Sequence, residues 1–275
     1  LYRDARIRSS TGSDDQLMID SHCHLDFKDF DKNRAEIINN ALVAGVHTMV
    51  NIGADLQTSI NSVKLAEQYD FIYATVGVHP HDAKTFNPEV EEQLRRMIEH
   101  KKVVAVGEIG LDYYRDLSPR NIQEKVFRRQ LEIAVEKDLP VVIHTRESFG
   151  DAVDIVSDYA GDLPGGIFHC FPGTVDDAYK VIDLGFHISV GGVITFPGAK
   201  MATVAAEAPL NRIAIETDSP YLTPMPYRGK TNQPAYVKYV CDKIAELRGM
   251  PAEEVEKITD RNSQRVYRLV DVFGG

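Results

Sequence analysis

The chain has 275 residues, 43% of them hydrophobic, with 31 Lys plus Arg against 41 Asp plus Glu and a net charge of −10. That is enough apolar material for one large α/β domain, and no run of about 18 apolar residues offers a membrane span. The acidic balance argues against a protein that wraps duplex DNA on a broad basic face, and the 3 Cys, an odd number, point to a reducing cytoplasm rather than a disulfide framework.

Residues 1–16 (LYRDARIRSSTGSDDQ) are polar and aperiodic and lack the apolar core of a signal peptide. They are read as an expression remnant or disordered leader outside the fold, and 17–275 as one domain. Eight short runs rich in Val and Ile follow, at 17–24, 48–55, 71–80, 103–112, 140–147, 165–171, 186–194 and 212–221. Their near-continuous apolar starts predict strands covered on both faces. Between them, 33–45, 57–69, 88–100, 119–138, 148–160, 174–184 and 199–208 carry apolar residues at helical spacing, and 234–248 and 252–270 read as closing helices. In 119–138, Ser118 is the expected cap, Pro119 the first residue, and Val126, Phe127, Leu131 and Ala134 part of the buried stripe. Eight β–α alternations in this length predict a single-domain (β/α)8 TIM barrel. The alternative, a doubly wound open sheet, is weakened in its dinucleotide-binding form because no GxGxxG follows the first strand.

Polar residues gather at the C-terminal strand ends, the rim on which barrel active sites are built. There lie His22 and His24, His79 and His81, Glu108 and Asp112, His144, His169, and Glu216 and Asp218. Six of the 9 His fall at these ends; only His47, His100 and His187 do not. His22 and His24, alternate residues on a strand, point to one side and can share a metal ion. Glu108, in the apolar run VVAVGEIGLD, is costly to bury without a partner, and its two oxygens can bridge two ions. His144 and His169 would complete the second ion, while Asp218 can ligate the first and take a proton from its water. This thiolate-free set suits two divalent ions: Zn²⁺, Mn²⁺, Ni²⁺, Fe²⁺ or a Mg²⁺ pair. Cys23 and Cys170 adjoin ligand candidates but face the other way on their strands, toward the helices; Cys241 is expected in the core.

The strings DSHCHLD (20–26), GVHPHD (77–82), GEIGLDYYRD (107–116), IHTRE (143–147), FHCFPG (168–173) and ETDSPYLTP (216–224) together resemble the TatD-type metal-dependent deoxyribonucleases, within the amidohydrolase-like superfamily of metallo-hydrolase barrels. The resemblance runs from Met18 onward with the motifs in order. It implies a dinuclear hydrolase acting on DNA ends, with His22, His24, Glu108 and Asp218 holding one ion and Glu108, His144 and His169 the other. The expected activity is that of a 3′-end exonuclease on single-stranded DNA, in a cytoplasmic monomer with no membrane partner. One departure stands out: the late loop reads RGKTNQP (228–234), with Thr231 and Gln233 where the family has Arg and Glu.

The expected chemistry is in-line attack on phosphorus by an activated water, with Asp218 and Glu108 as catalytic residues. Arg115, Arg146 and Arg228 are candidate phosphate clamps, because guanidinium is always charged and can bind bidentately. His79 and His81 can donate to phosphate, and Tyr113, Tyr114, Phe171 and Tyr221 can stack a terminal base. The rival reading is a hydrolase of the same architecture acting on a small ester, lactone, amide or phosphotriester. Many such barrels bridge their ions with a carboxylated Lys at a strand end; here Glu108 takes that place. Purely structural ions fit poorly with ligands spread over an open rim.

Overall fold

The computed structural model describes residues 18–269; the leader at 1–16, Leu17 and the last six residues lie outside the described residues. Eight strands, β1 (Met18–Cys23), β2 (Val46–Asn51), β3 (Ile72–Val76), β4 (Val103–Asp112), β5 (Val141–Arg146), β6 (Gly166–Phe168), β7 (His187–Val190) and β8 (Ile213–Ile215), pair in parallel in sequence order. Between consecutive strands run α1 (Arg34–Val43), α2 (Leu56–Gln68), α3 (Pro88–Ile98), α4 (Arg120–Lys137), α5 (Phe149–Ser157), α6 (Val175–Asp183) and α7 (Lys200–Glu207), and after β8 come α8 (Val237–Arg248) and α9 (Ala252–Tyr267). This is the predicted TIM barrel, each strand meeting its neighbour across a helical crossover. No helix among the described residues is long and apolar enough to cross a membrane.

Two apolar layers explain why both faces of each strand are hydrophobic. Val50, Tyr73, Val104, Val142, Ile167 and Ala214, one each from six strands, fill the barrel with Val266 and Tyr267 of α9. The Tyr267 hydroxyl donates to the Ser21 carbonyl at 2.9 Å, giving this buried phenol a partner. The opposite strand faces pack on the helices in a larger cluster that holds Cys23 and Cys241, both buried, with the partly buried Cys170 against it. All three cysteines are free thiols.

The seam between β1 and β8 brings residues almost 200 positions apart together. The Asp218 N–H donates to the His22 carbonyl at 2.9 Å and the His24 N–H to the Ser219 carbonyl at 2.9 Å. Below them Asp20 accepts the Thr217 N–H at 2.9 Å and its hydroxyl at 2.6 Å. Burial pushes Asp20 up to about 8 despite those bonds.

Several strands stop earlier than the sequence predicts. β3 ends at Val76, so His79 and His81 lie in the following loop and 3-10 turn (Pro80–Thr85), where Pro80 has no N–H for a ladder. β8 ends at Ile215, and Asp218 has a left-handed φ of 52° that no strand can continue. The expected cap of α4 also differs. Pro119 occupies the cap position with no side-chain bond. Ser118 instead donates to the His81 carbonyl at 2.8 Å and accepts the Lys84 N–H at 3.2 Å, tying the β4–α4 loop to the turn after β3.

Two glycines let β4 and β5 approach beside Glu108. A Cβ on Gly107 would sit 2.6 Å from Val142 Cβ, and one on Gly110, at φ 139°, would overlap the His144 carbonyl oxygen. Gly110→Ala is therefore expected to destabilise the protein by about 2–3 kcal/mol, lowering Tm by roughly 5–10 °C, and to weaken divalent-ion binding by displacing His144. Calorimetric unfolding and metal titration of the variant check both effects.

Candidate active site

Glu108 lies in the middle of the site, 4% exposed on a strand buried along its whole length. Its backbone N–H donates to the Gly53 carbonyl at 2.6 Å. Its two oxygens face two different histidine pairs. Oε2 is 3.7 Å from His22 Nε2 and 3.9 Å from His24 Nε2. Oε1 is 2.9 Å from His144 Nδ1 and 2.8 Å from His169 Nε2.

The first position is built by the seam. His22 Nε2 and His24 Nε2 are 3.3 Å apart, and Asp218 Oδ1 lies 3.6 Å from the first and 3.4 Å from the second. The second is built by β5 and the residue that follows β6, with His144 Nδ1 and His169 Nε2 separated by 3.2 Å. Spacings near 3 Å between donor atoms match neighbouring ligands about 2.1 Å from one cation, so both positions can hold a divalent ion.

Outer partners decide which ring nitrogen is available. His24 Nδ1 donates to the Ile52 carbonyl at 3.2 Å, leaving Nε2 as the acceptor. His144 is reversed: Nε2 donates to Asp112 Oδ2 at 3.0 Å, so Nδ1 faces the site. Asp112 also accepts the Tyr114 and Arg115 N–H groups at 3.1 and 2.8 Å; against burial, the bonds from His144 and His81, with the Arg115 N–H, hold its carboxyl well below the usual range. Asp112 therefore joins the site. Its sequence signal was an acid closing an apolar strand, but its partners come from other elements.

His79 takes the opposite role. Its Nε2 is 3.6 Å from Glu108 Oε1 and, with Glu108 and His144, lies within ligating range of one point. However, Nδ1 accepts the His81 N–H at 3.1 Å, so the neutral ring carries its proton on Nε2 and presents a donor. Burial, reinforced by the charge on His144, drives His79 well below the ordinary imidazole value, which keeps it neutral. His81 is set back, its Nε2 bonded to Asp112 Oδ2 at 2.9 Å.

The remaining candidates ring this centre less tightly. Arg146 stacks on Tyr114 at 3.9 Å and Arg228 on Phe196 at 4.4 Å; Arg115 is exposed. Among the described residues none of the three pairs with a carboxylate, unlike the arginines of α3 and α4. Tyr114 and Tyr221 are exposed, and Tyr221 meets Phe27 edge-on, which stacks on His24 at 4.4 Å. Phe171 is not available to a base: it is fully buried against Phe149. Tyr113 is also committed, its ring under Arg120 and its hydroxyl on Glu124. In the late loop Thr231 is exposed and Gln233 half-buried, while Asn232 anchors the segment to the Thr217 and Tyr221 carbonyls at 2.8 and 2.6 Å.

The family model described as TatD related DNase matches residues 19–268. The chain belongs to the TatD-related DNase family. Over 254 residues it is 42% identical to the metal-dependent hydrolase YabD of Bacillus subtilis, covering 92% of this chain and all of that one. It is 34% identical over 259 residues to the 3′-5′ ssDNA/RNA exonuclease TatD of Pectobacterium parmentieri, covering 92% and 100% of the two chains. The crystal structure of the Escherichia coli TatD homolog YJJV superposes with a TM-score of 0.86 at 32% identity over 92% of this chain and 98% of that one. An organophosphorus hydrolase variant at 14% identity and a TM-score of 0.63 shares the barrel fold.

Burial lowers His24, His144 and His169, but Asp218 beside the first, Asp112 and Glu108 beside the second and Glu108 beside the third outweigh it, and all three end above the ordinary imidazole value. His22 goes well below it, through burial and the neighbouring His169. Raised values mean protons retained to higher pH, which a divalent ion must displace. Apparent ion affinity is therefore expected to rise as pH rises through and above about 6.5, with more than one proton released per chain at pH 7. Calorimetric ion titrations in two buffers of different ionisation heat count those protons; release of none would contradict this charge distribution.

Proposed function

We propose that this family member is a divalent-metal-dependent deoxyribonuclease that removes nucleotides from the 3′ end of single-stranded DNA, acting as a cytoplasmic monomer with two ions. The observation that supports it best is the division of Glu108 between two histidine pairs, with Asp218 closing one of them. In this reading His22, His24, Glu108 and Asp218 hold one ion and Glu108, His144 and His169 the other. Bound there, the pair supplies a hydroxide near neutral pH and Lewis acidity toward the phosphoryl oxygens.

The chain's own groups do the rest. Asp218 orients the attacking water and accepts its proton; its left-handed backbone turns the carboxylate over His24. His79 Nε2–H donates to a phosphoryl oxygen and gains strength as charge develops there. Arg146, with Arg115 and Arg228 further out, clamps flanking phosphates, and Tyr114 and Tyr221 offer faces or edges to bases. His81 acts indirectly, by sharing Asp112 with His144. The relative of P. parmentieri carries 3′-5′ ssDNA/RNA polarity in its name, and that is the polarity proposed here.

A single-stranded oligonucleotide labelled at its 5′ end, incubated with Mg²⁺ or Mn²⁺, is expected to give a ladder of shortened products. EDTA or Glu108→Ala should cut the rate by roughly 10³-fold or more, the several kcal/mol that the ions contribute. Arg146→Ala should raise KM by about tenfold with a smaller effect on kcat. Three arginine contacts limit the log–log salt slope to about 2. An intact oligonucleotide after incubation with folded, ion-loaded protein that cleaves a simple ester or phosphotriester would overturn the nuclease reading.

A further inference from the structure

Glu216 lies one residue beyond β8 and is fully buried. No Lys or Arg among the described residues pairs with it; the groups of opposite charge within 4.0 Å are His22 and His169. A buried carboxylate without donors is expensive, and this one has two. Oε1 accepts the Cys170 N–H at 2.8 Å and Oε2 accepts the Ser189 hydroxyl. Those bonds fix its plane so that each oxygen faces one imidazole: Oε1 is 3.6 Å from His169 Nδ1 and Oε2 4.0 Å from His22 Nδ1. The two rings stack at 4.1 Å with a 12° tilt.

Both Nδ1 atoms are buried and without a hydrogen-bond partner among the described residues. The same rings direct Nε2 to different positions, His22 toward His24 and Asp218, His169 toward His144 and Glu108. A neutral imidazole that ligates through Nε2 must carry its proton on Nδ1, and a buried N–H needs an acceptor. Glu216 supplies an oxygen to each. At 3.6 and 4.0 Å the contacts are still longer than hydrogen bonds.

We propose that Glu216 is a positioning residue shared by both metal positions, taking the Nδ1–H of His22 on one oxygen and of His169 on the other, so that one buried carboxylate sets the ligating tautomer at both ions and couples their occupancy. This rests on the two-ion reading above. His22, His169 and Glu216 also converge closely enough to surround a third cation through Nδ1. That arrangement would require each ring to ligate through both nitrogens as an imidazolate, and the shared-acceptor role requires only neutral rings.

The test is a Zn²⁺ titration of the full chain by calorimetry, with ¹H–¹⁵N spectra of histidine-labelled protein. Wild type is expected to bind two ions and to show, beside the Nδ1–H that His24 donates to the Ile52 carbonyl, two further exchange-protected Nδ1–H resonances, from His22 and His169, shifted downfield. Glu216→Gln should weaken both ions by roughly 10–100-fold and lose both shifts, whereas Asp112→Asn should weaken only the ion at His144. Ser189→Ala removes the donor to Oε2, while the Cys170 N–H, which Ser189 also accepts at 3.2 Å, keeps Oε1 as its partner at 2.8 Å; it should weaken chiefly the ion at His22, which keeps the test open if Glu216→Gln fails to fold. Two ions in wild type with at most one weakened by Glu216→Gln, or, where that variant does not fold, with the ion at His22 unweakened by Ser189→Ala, would overturn the shared role alone. One ion in wild type would overturn the two-ion reading and the sharing with it, and three would assign the Nδ1 atoms to a cation instead.

Discussion

A carboxylate in the middle of a strand buried on both faces must be matched by positive charge or by donors, or it costs several kcal/mol. Glu108 is in that position, and the mouth of the barrel is arranged around it. Among the described residues no Lys or Arg pairs with it; imidazoles from β1, β5, the residue after β6 and the loop after β3 do. Imidazole suits this task better than a fixed cation because its charge can be given up. A lysine would neutralise Glu108 permanently and close the centre to divalent ions. Histidines hold protons there until an ion takes their place, so the same charge balance is met in either state. The close approach of β4 to β5 at Gly107 and Gly110 follows from the same need, since larger residues would move Glu108 away from His144.

Chemically identical side chains are made different by what stands behind them. The Ile52 carbonyl leaves Nε2 of His24 free, Asp112 leaves Nδ1 of His144 free, and the His81 N–H turns His79 into a donor. None of these outer contacts alters the burial of the ring it acts on. Each selects one nitrogen, and together they separate rings suited to ligation from a ring suited to substrate. Asp112 and Glu216 matter in this sense: their carboxylates sit behind the histidines and act on the centre through tautomer and orientation.

The barrel was legible in the sequence because its strands are buried on both faces and its helices on one, so the apolar pattern changes period at each junction. The eight strands and nine α-helices of the described residues each overlap a predicted segment, but β2 and α2 begin before theirs, at Val46 and Leu56, and β2 stops at Asn51. The convergence of His22, His24, Glu108, His144, His169 and Asp218 was legible for a related reason: a histidine or acid ending an apolar strand has no other evident use. What could not be read is anything that depends on a neighbour from another element. Ser118 has the composition of a helix cap, yet Pro119 takes the cap position and the Ser118 hydroxyl accepts the Lys84 N–H from the turn after β3 instead of an α4 N–H. Phe171 follows the candidate ligand His169 into a rim loop, but Phe149 from α5 buries it. His79 and His81 share one motif, and only the position of Asp112 separates a ring facing the centre from one held behind it.

The acidic net charge and a polyanionic substrate are reconciled by how the rim holds its cations. Arg146 and Arg228 rest on the faces of Tyr114 and Phe196 instead of on carboxylates. An arginine in an ion pair must break it before it can bind phosphate, and part of the gain is lost. An arginine stacked on a ring keeps its orientation through the π face and leaves the N–H edge of the guanidinium free for a bidentate acceptor. The arginines of α3 and α4 show the contrast: Arg95 and Arg129 are tied to Glu91, and Glu136 adds a second carboxylate to Arg95. Guanidinium groups held outside ion pairs at the mouth make the chain's −10 charge compatible with the nucleic-acid substrate proposed above.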